Sequence, residues 1–425
     1  MSGKTFPLSK ARLDALVRSY PTPFYLYDEG AIRENARAVL RAFSIFPSFK
    51  EHFAVKALPN PYILKILAAE GFGADCSSYP ELVLADMAGI TGEDIMFTAN
   101  DTPAGEFRAA RDLGAVINLD DFTHIDFLEK AAGIPPLISC RYNPGPLKEG
   151  NVIIGKPEAA KFGFTRDQIL RAYGLLREKG ARRFALHTMV ASNELNEDYH
   201  IETARLLFEL AVEIKEKTGV RLEFVNLGGG VGIPYRPGEE AVDYGRLASG
   251  IQEVYRRIIL PGGLHPLGIR TEWGRVITGP YGWLVTRAIH TKSIYREYIG
   301  LDASMADLMR PGLYGAYHHI TVVGKEDAPA TETYDVVGSL CDNNDKFALQ
   351  RPLPRISPGD YLVIHDAGAH GRAMGFNYNG KLRCGELLLR PDDTIARIRR
   401  GETVDDYFAT LDLTALGDFN GSDKG

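Results

Sequence analysis

The chain has little cysteine and no long apolar run. Its four cysteines, Cys76, Cys140, Cys341 and Cys384, lie far apart in 425 residues with neither metal-ligand nor redox spacing. That argues against a metal centre or a disulfide framework and fits free thiols in a reducing compartment. The first residues, Met1-Ser2-Gly3-Lys4-Thr5-Phe6, lead into a mixed amphipathic stretch without an uninterrupted apolar core. No signal peptide or membrane span is therefore expected, and the default location is the cytoplasm. A basic excess is missing too. With a formal charge of −6, neither nucleic acid nor an anionic membrane is an expected partner. No sequence repeat is evident. What is present is ordinary globular chain, 45% hydrophobic and 24% charged, long enough for a barrel-sized core and a second domain.

Strand-like runs at 52–56, 73–77, 94–98, 115–119, 137–142, 183–188, 222–227 and 267–272 alternate with helix-period segments such as 62–70, 80–88, 167–179, 201–217 and 244–258,. Eight such alternations over about 240 residues match a (β/α)8 barrel in count and length. Past Thr278 the texture changes to short β-branched and aromatic runs at 283–290, 293–301, 333–338, 360–365 and 383–389. Pro and Gly punctuate them, and helical periodicity is nearly absent until 404–409. The reading is an α/β chain: a barrel of residues 30–278, and a β-rich, sandwich- or barrel-like domain of 1–29 and 279–425 that includes the segment 22–28. No long flexible linker separates them, so direct packing is expected.

Barrel enzymes carry their chemistry at the carboxyl ends of the strands. Lys56 ends the first run, where an amine among Phe53, Val55 and Leu58 could be desolvated and form a Schiff base; the alternative is a surface lysine capping a strand. The seventh run ends in Asn226-Leu227-Gly228-Gly229-Gly230-Val231-Gly232. Adjacent glycines let backbone N–H groups approach an anion, as a phosphate cradle requires, although a flexible turn reads the same way. At the eighth, Glu272 and Arg275 place an acid and a base at the rim. The acid suits a protonated pyridine nitrogen and the arginine a phosphate or carboxylate; an internal ion pair is the alternative. The sixth contributes His187 and Ser192, the hydroxyl a further phosphate donor. Each signal alone is weak, and their joint order on one rim is much stronger.

These residues resemble the fold-type III pyridoxal-phosphate decarboxylases, and within them diaminopimelate decarboxylase, over nearly the whole chain. Phe53-Ala54-Val55-Lys56-Ala57 resembles the cofactor-lysine strand, and Gly73-Ala74-Asp75-Cys76-Ser77-Ser78 with Glu81-Leu82 the second strand. Arg141-Tyr142-Asn143-Pro144 and Lys161-Phe162-Gly163 are similar to the fifth-strand block and the loop beyond it. Gly228, Gly229 and Gly230 match the phosphate loop, and Glu272-Trp273-Gly274-Arg275 the pyridine-binding block. The block Arg310-Pro311-Gly312-Leu313-Tyr314 and the run Cys341-Asp342-Asn343-Asn344-Asp345 correspond to substrate-contacting blocks. The second of these reaches a neighbouring subunit's site in the family.

The resemblance implies pyridoxal 5'-phosphate on Lys56 and Glu272 opposite the pyridine nitrogen. It further implies Arg310 and Tyr314 on a distal carboxylate, Cys341 as proton donor at Cα, and a homodimer with shared sites. A buried carboxylate left unpaired costs about 3–5 kcal/mol, so Arg310 favours a diacid.

Four departures mark the chain as a divergent branch. Met189 and Ala191 stand where the family has the second histidine and the glycine of its strand-six block, and a thioether cannot donate a proton. Asp342 replaces a glutamate, shortening the reach to a distal amine. His370 replaces the tyrosine of a Gly-Ala-Tyr block, with Tyr378 following nearby. Trp273 replaces a proline. The main reading is decarboxylation of meso-2,6-diaminopimelate to L-lysine. The alternative is the same chemistry on a related amino diacid or on a carrier-linked or secondary-metabolite amino acid. A non-catalytic relative predicts loss of Lys56 or Cys341, and neither is lost.

Overall fold

The structure, a computed structural model, describes residues 4–148, 156–414 and 416. Residues 1–3, part of the stretch read as free of a signal peptide, lie outside the described residues, as do the ends of the expected β-rich segment.

Strand β1 (Phe24–Asp28) precedes a barrel of eight: β2 (Phe49–Ala54), β3 (Gly73–Cys76), β4 (Ile95–Phe97), β5 (Val116–Leu119), β6 (Leu137–Tyr142), β7 (Arg183–Thr188), β8 (Leu222–Asn226) and β9 (Gly268–Thr271). They pair in parallel and in chain order. The barrel closes where β2 meets β9, with Phe49 opposite Ile269 and Glu51 opposite Thr271. Every position of β5 and β6 is buried, because interior side chains fill one face and helices cover the other. Each strand falls within or overlaps a strand-like run of the sequence.

The helices start where the sequence supplies caps. Asn60 accepts from Tyr62 N ahead of Pro61–Ala69, with Pro61 in the first turn, and Thr165 with Gln168 forms a capping box on Arg166–Glu178,. Helix Glu29–Phe43 buries Ile32, Ala36, Val39 and Phe43 along one stripe,. Among the described residues, no helix is long and apolar enough to cross a membrane.

Beyond the barrel come β10 (Gly282–Ser293), β11 (Glu297–Leu301), β12 (Ile320–Val322), β13 (Glu332–Val337), β14 (Lys346–Leu353), β15 (Tyr361–Ile364), β16 (Gly385–Leu389) and β17 (Ile395–Arg399). With β1 they make a nine-stranded mixed sheet in the order β14-β13-β11-β10-β1-β16-β17, with β15 on β10 and β12 on β15. As expected for 22–28, β1 joins this sheet, antiparallel to β10 and parallel to β16.

The sheet also braces the barrel rim. Glu386 of β16 accepts from Tyr27 Oη at 2.8 Å and from Asn60 Nδ2 at 3.0 Å, while Arg399 donates to Pro59 O at 2.8 Å. The His370 N–H donates to Ala57 O at 2.8 Å. The turn that carries Lys56 is therefore held from the sheet side.

Candidate active site

Glu272, directly after β9, reaches into the barrel mouth. Its Oε2 lies 2.8 Å from His187 Nε2 of β7, and its Oε1 accepts from Asn226 Nδ2 of β8 at 2.7 Å. Burial alone would raise the Glu272 carboxyl. The His187 imidazole, through its charge and its hydrogen bond, outweighs burial together with Lys56 and His52 and holds the group at about 2,. Glu272 is thus a fixed negative charge in a dry setting. Asp75 of β3 lies close by; burial first, then the Glu272 charge, pushes its carboxyl well up. Its Oδ2 is 3.8 Å from Lys56 Nζ. Neither His187 Nδ1 nor Asp75 Oδ1 has a hydrogen-bond partner, so the mouth of the barrel holds polar atoms the chain itself does not satisfy.

Lys56 differs from its expected setting. β2 stops at Ala54, and Lys56 sits in the tight turn Val55–Ala57. That turn sends Phe53, Val55 and Leu58 into the core and leaves the lysine side chain 52% exposed at the cavity.

The glycine run after β8 is built for close approach. A Cβ at Gly228 would lie 2.1 Å from Thr188 O, at Gly229 2.5 Å from Glu272 O, and at Gly230 2.6 Å from Ala191 O. Gly228 and Gly230 also have φ of +69° and +103°, where L side chains are strained. The Gly229 N–H donates to Met189 Sδ at 3.3 Å. Two buried arginines line the same cavity as this cradle. Arg275 Nη1 and Arg310 Nη1 donate to the same Tyr235 hydroxyl at 2.6 and 2.7 Å, and Arg275 Nη2 lies 3.5 Å from Ser192 Oγ.

Arg310 Nη1 also donates to His318 Nε2 at 3.0 Å, with His318 Nδ1 donating to His365 O. Burial and the Arg310 charge hold His318 near 3, so it is a neutral acceptor. Among the described residues no ion pair joins either arginine to a carboxylate. Such a pair of cations is a site for anions.

Lys56, His187, Met189, Ser192, Gly229, Gly230, Glu272, Gly274, Arg275, Arg310, Tyr314 and His370 all line one cavity of 460 Å³. Gly228 flanks it as the first residue of the cradle. His370 has φ +54°; burial and the charges of Arg275, Arg310 and Lys56 push its imidazole well down.

Cys341, Asp342 and Tyr378 lie elsewhere. Cys341 Sγ is 3.5 Å from Tyr378 Oη, both residues are exposed, and Asp342 caps its own turn through Asn344 N. Sequence reasoning passed over Tyr235 and assigned no role to Asp75 or Asn226. The signal for Tyr235 is its place two residues past Gly232-Ile233 in the loop leaving β8, beyond the strand end itself.

A parallel barrel whose mouth combines an accessible lysine, a buried carboxylate on a histidine and a glycine cradle facing arginine defines an enzyme built for a phosphorylated pyridine aldehyde. The comparisons agree. Residues 29–279 match the pyridoxal-binding domain of the pyridoxal-dependent decarboxylases. The chain belongs to that family, to its fold-type III branch, close to diaminopimelate decarboxylase. It is 42% identical to Protein TabA of Pseudomonas amygdali pv. tabaci over 98% of this chain and 96% of that one. It is 36% identical to the diaminopimelate decarboxylase of Methanothermobacter thermautotrophicus over 94% of each. Among solved structures, diaminopimelate decarboxylase from M. jannaschii in complex with L-lysine superposes with a TM-score of 0.88 at 27% identity, over 95% of each chain. The cofactor of this family is pyridoxal 5'-phosphate, and the cradle, the buried Glu272 and the unsatisfied polar atoms fit it.

Proposed function

We propose that this pyridoxal-phosphate-dependent decarboxylase acts on an amino diacid related to diaminopimelate, or on a carrier-linked or secondary-metabolite amino acid. The observation that carries this reading is the buried Arg310, which faces the cavity beside Arg275 without a carboxylate partner among the described residues. One arginine answers the cofactor phosphate; the other is left for a second anionic group on the substrate. Met189, Asp342 and His370 favour a substrate other than meso-diaminopimelate, as does the 42% identity to Protein TabA beside 36% to a diaminopimelate decarboxylase. Conversion of meso-2,6-diaminopimelate to L-lysine is the second reading, supported by the Arg310 and Tyr314 block and by the lysine-bound relative.

When bound, pyridoxal phosphate supplies an electron-withdrawing ring that accepts the charge left at Cα as the carboxylate departs. The rest is the work of this chain. Lys56 Nζ, 3.8 Å from Asp75 Oδ2, would be the amine that holds the cofactor's aldehyde group,. Glu272, oriented by His187 and Asn226, keeps a proton on the pyridine nitrogen. Gly228, Gly229, Gly230, Ser192 and Arg275 hold the phosphate; Gly274 lets the Arg275 turn pack against Ala57, where a Cβ would come within 2.6 Å. Met189 would offer the cofactor a thioether where the family has a histidine, and His370 replaces a phenol with a neutral acceptor. Arg310 and Tyr314 hold the distal carboxylate.

Cys341, Asp342 and Tyr378 serve the site of a second copy in a homodimer, Cys341 giving the proton to Cα. The support is their exposure as one cluster outside the chain's own cavity. The division into residues 30–278 and 1–29 with 279–425, and a cytoplasmic setting, complete the proposal; the free state of all four cysteines supports the latter.

The test is carbon dioxide release and product mass for the cofactor-loaded protein with meso-diaminopimelate and other amino diacids, lysine and ornithine being monoacid controls. Turnover of a diacid with the monoacids inert is expected. Equal turnover of lysine or ornithine would overturn the role of Arg310.

A further inference from the structure

The turn that delivers Glu272 and Arg275 is anchored from behind by a carboxyl group that does not line the cavity. Glu51, in β2, faces Thr271 of β9 and is fully buried. Its Oε1 accepts the Trp273 N–H at 2.5 Å, and its Oε2 bonds the Thr271 hydroxyl. Burial, aided by the charges of Glu272 and Asp75, pushes this carboxyl well up against the pull of those two hydrogen bonds,. The carbonyl of Trp273 accepts in turn from Ala54 N at 3.2 Å, two residues before Lys56. One buried side chain therefore ties together the two turns that carry Lys56 and Glu272.

Trp273 explains why an acceptor is needed there. A proline at this place, as in the blocks the chain resembles, brings no N–H, and a carboxyl beneath it would keep the Thr271 hydroxyl but lose its second donor. A tryptophan brings a buried N–H that must be satisfied. Its ring packs edge-on against Phe43 at 5.4 Å and stacks on Tyr244 at 5.9 Å, so the N–H cannot turn toward solvent without breaking that packing. Glu51 and Trp273 are a matched pair.

We propose that Glu51 is a positioning residue of this active site: through Thr271 and the Trp273 N–H it sets where Glu272 and Arg275 stand, and so how tightly pyridoxal phosphate is held. The inference rests on reading Glu272 and Arg275 as cofactor ligands, and the test separates the two.

Apo-protein of the wild type, Glu51→Gln, Glu51→Leu, Glu51→Asp and Glu272→Ala is titrated with pyridoxal phosphate. Fluorescence quenching and the cofactor absorption spectrum are followed, and melting of each apo form is recorded separately. Gln offers the same acceptor to Trp273 and a donor to Thr271, so Glu51→Gln keeps the wild-type dissociation constant. Glu51→Leu raises it by about tenfold or more and shifts the absorption band, as loss of an orienting outer partner does at other sites.

An unchanged constant and spectrum in Glu51→Leu, with only the melting temperature lowered, would make Glu51 purely structural and overturn the proposal. Should the leucine variant not fold, Glu51→Asp decides. It keeps the acid but withdraws it from Trp273, so a raised constant supports the proposal and a wild-type constant overturns it. If Glu272→Ala binds the cofactor as the wild type does, it is the reading of the site that fails.

Discussion

The roles proposed for Lys56 and Arg310 differ, and substitution separates them. Without its amine, Lys56→Ala should lose carbon dioxide release by at least about a thousandfold. It should still take up pyridoxal phosphate, because the cradle, Glu272 and Arg275 remain; wild-type turnover in this variant would remove Lys56 from the chemistry. Arg310→Met should instead raise KM for the diacid about 10- to 100-fold, with a smaller change in kcat, since it leaves a desolvated carboxylate unpaired. An unaltered KM would move the distal group elsewhere.

Asp366 gives a pH-dependent check. Burial pushes its carboxyl up to about 6, with Lys4 and Arg310 pulling the other way. An acid whose folded pKa is raised contributes stability that is present below its unfolded value and is lost as pH rises through the folded one. Asp366→Asn does not titrate, so it should gain on the wild type between about pH 4 and about pH 6, by up to ~3 kcal/mol, and no further above. Urea unfolding of both proteins at the two ends of that window tests it; a constant difference would sink the assignment.

At this scale the sequence was legible where chemistry sits at strand ends: Lys56, Glu272, Arg275, Gly229 and Gly230 meet in one cavity, with Gly228 beside it. Tyr235 was not, because an aromatic in a loop carries no sign that two arginines converge on it. Nor did the apolar neighbours of Lys56 in sequence predict its exposure, since a tight turn decides which way a side chain points.

Among the elements, the loop leaving β8 is the most constrained. The Cβ of Gly229→Ala would meet the Glu272 carbonyl oxygen at 2.5 Å, and both sides are backbone. The substitution should cost about 1–3 kcal/mol of stability and weaken cofactor binding at least about tenfold, as misplaced first contacts do. Gly174, in helix Arg166–Glu178, is the control. A Cβ there meets nothing within 4 Å, so Gly174→Ala should stabilise by about 0.5–1 kcal/mol and leave the cofactor constant alone. Equal effects of the two alanines would mean that the cradle is an ordinary turn.

The eight barrel strands were readable because both their faces are buried and they are bounded by turns. Strands β12, β14 and β17 were not. β12 has three residues, β14 carries Lys346, Arg351 and Pro352 with several positions exposed, and β17 alternates Arg397 and Arg399 with only Ile398 buried. Helices Ala104–Asp112 and His124–Ala132 were not among the segments named, and each buries only two side chains.

Seen whole, the molecule carries the residues proposed for catalysis on two surfaces. The cavity at the barrel mouth holds Lys56. Cys341 and Asp342 line a separate depression with Lys292, Ile294 and Tyr298, and the neighbouring Tyr295 is fully exposed. That thiol lies outside its own chain's cavity, and the proposed two-fold pair would present each Cys341 cluster to the other's cavity,. The expectation is a homodimer by light scattering and, more sharply, complementation between two defective chains. Lys56→Ala lacks its amine and Cys341→Ala its proton donor, so each homodimer is impaired at both sites. In a mixed dimer one site combines intact Lys56 with intact Cys341, while the other lacks both. After subunit exchange at equal amounts, half the dimers are mixed and each has one good site, so activity should return to about a quarter of wild type. If Cys341 served the site of its own chain, mixing would repair nothing, and the mixture would stay at the mean of its parents.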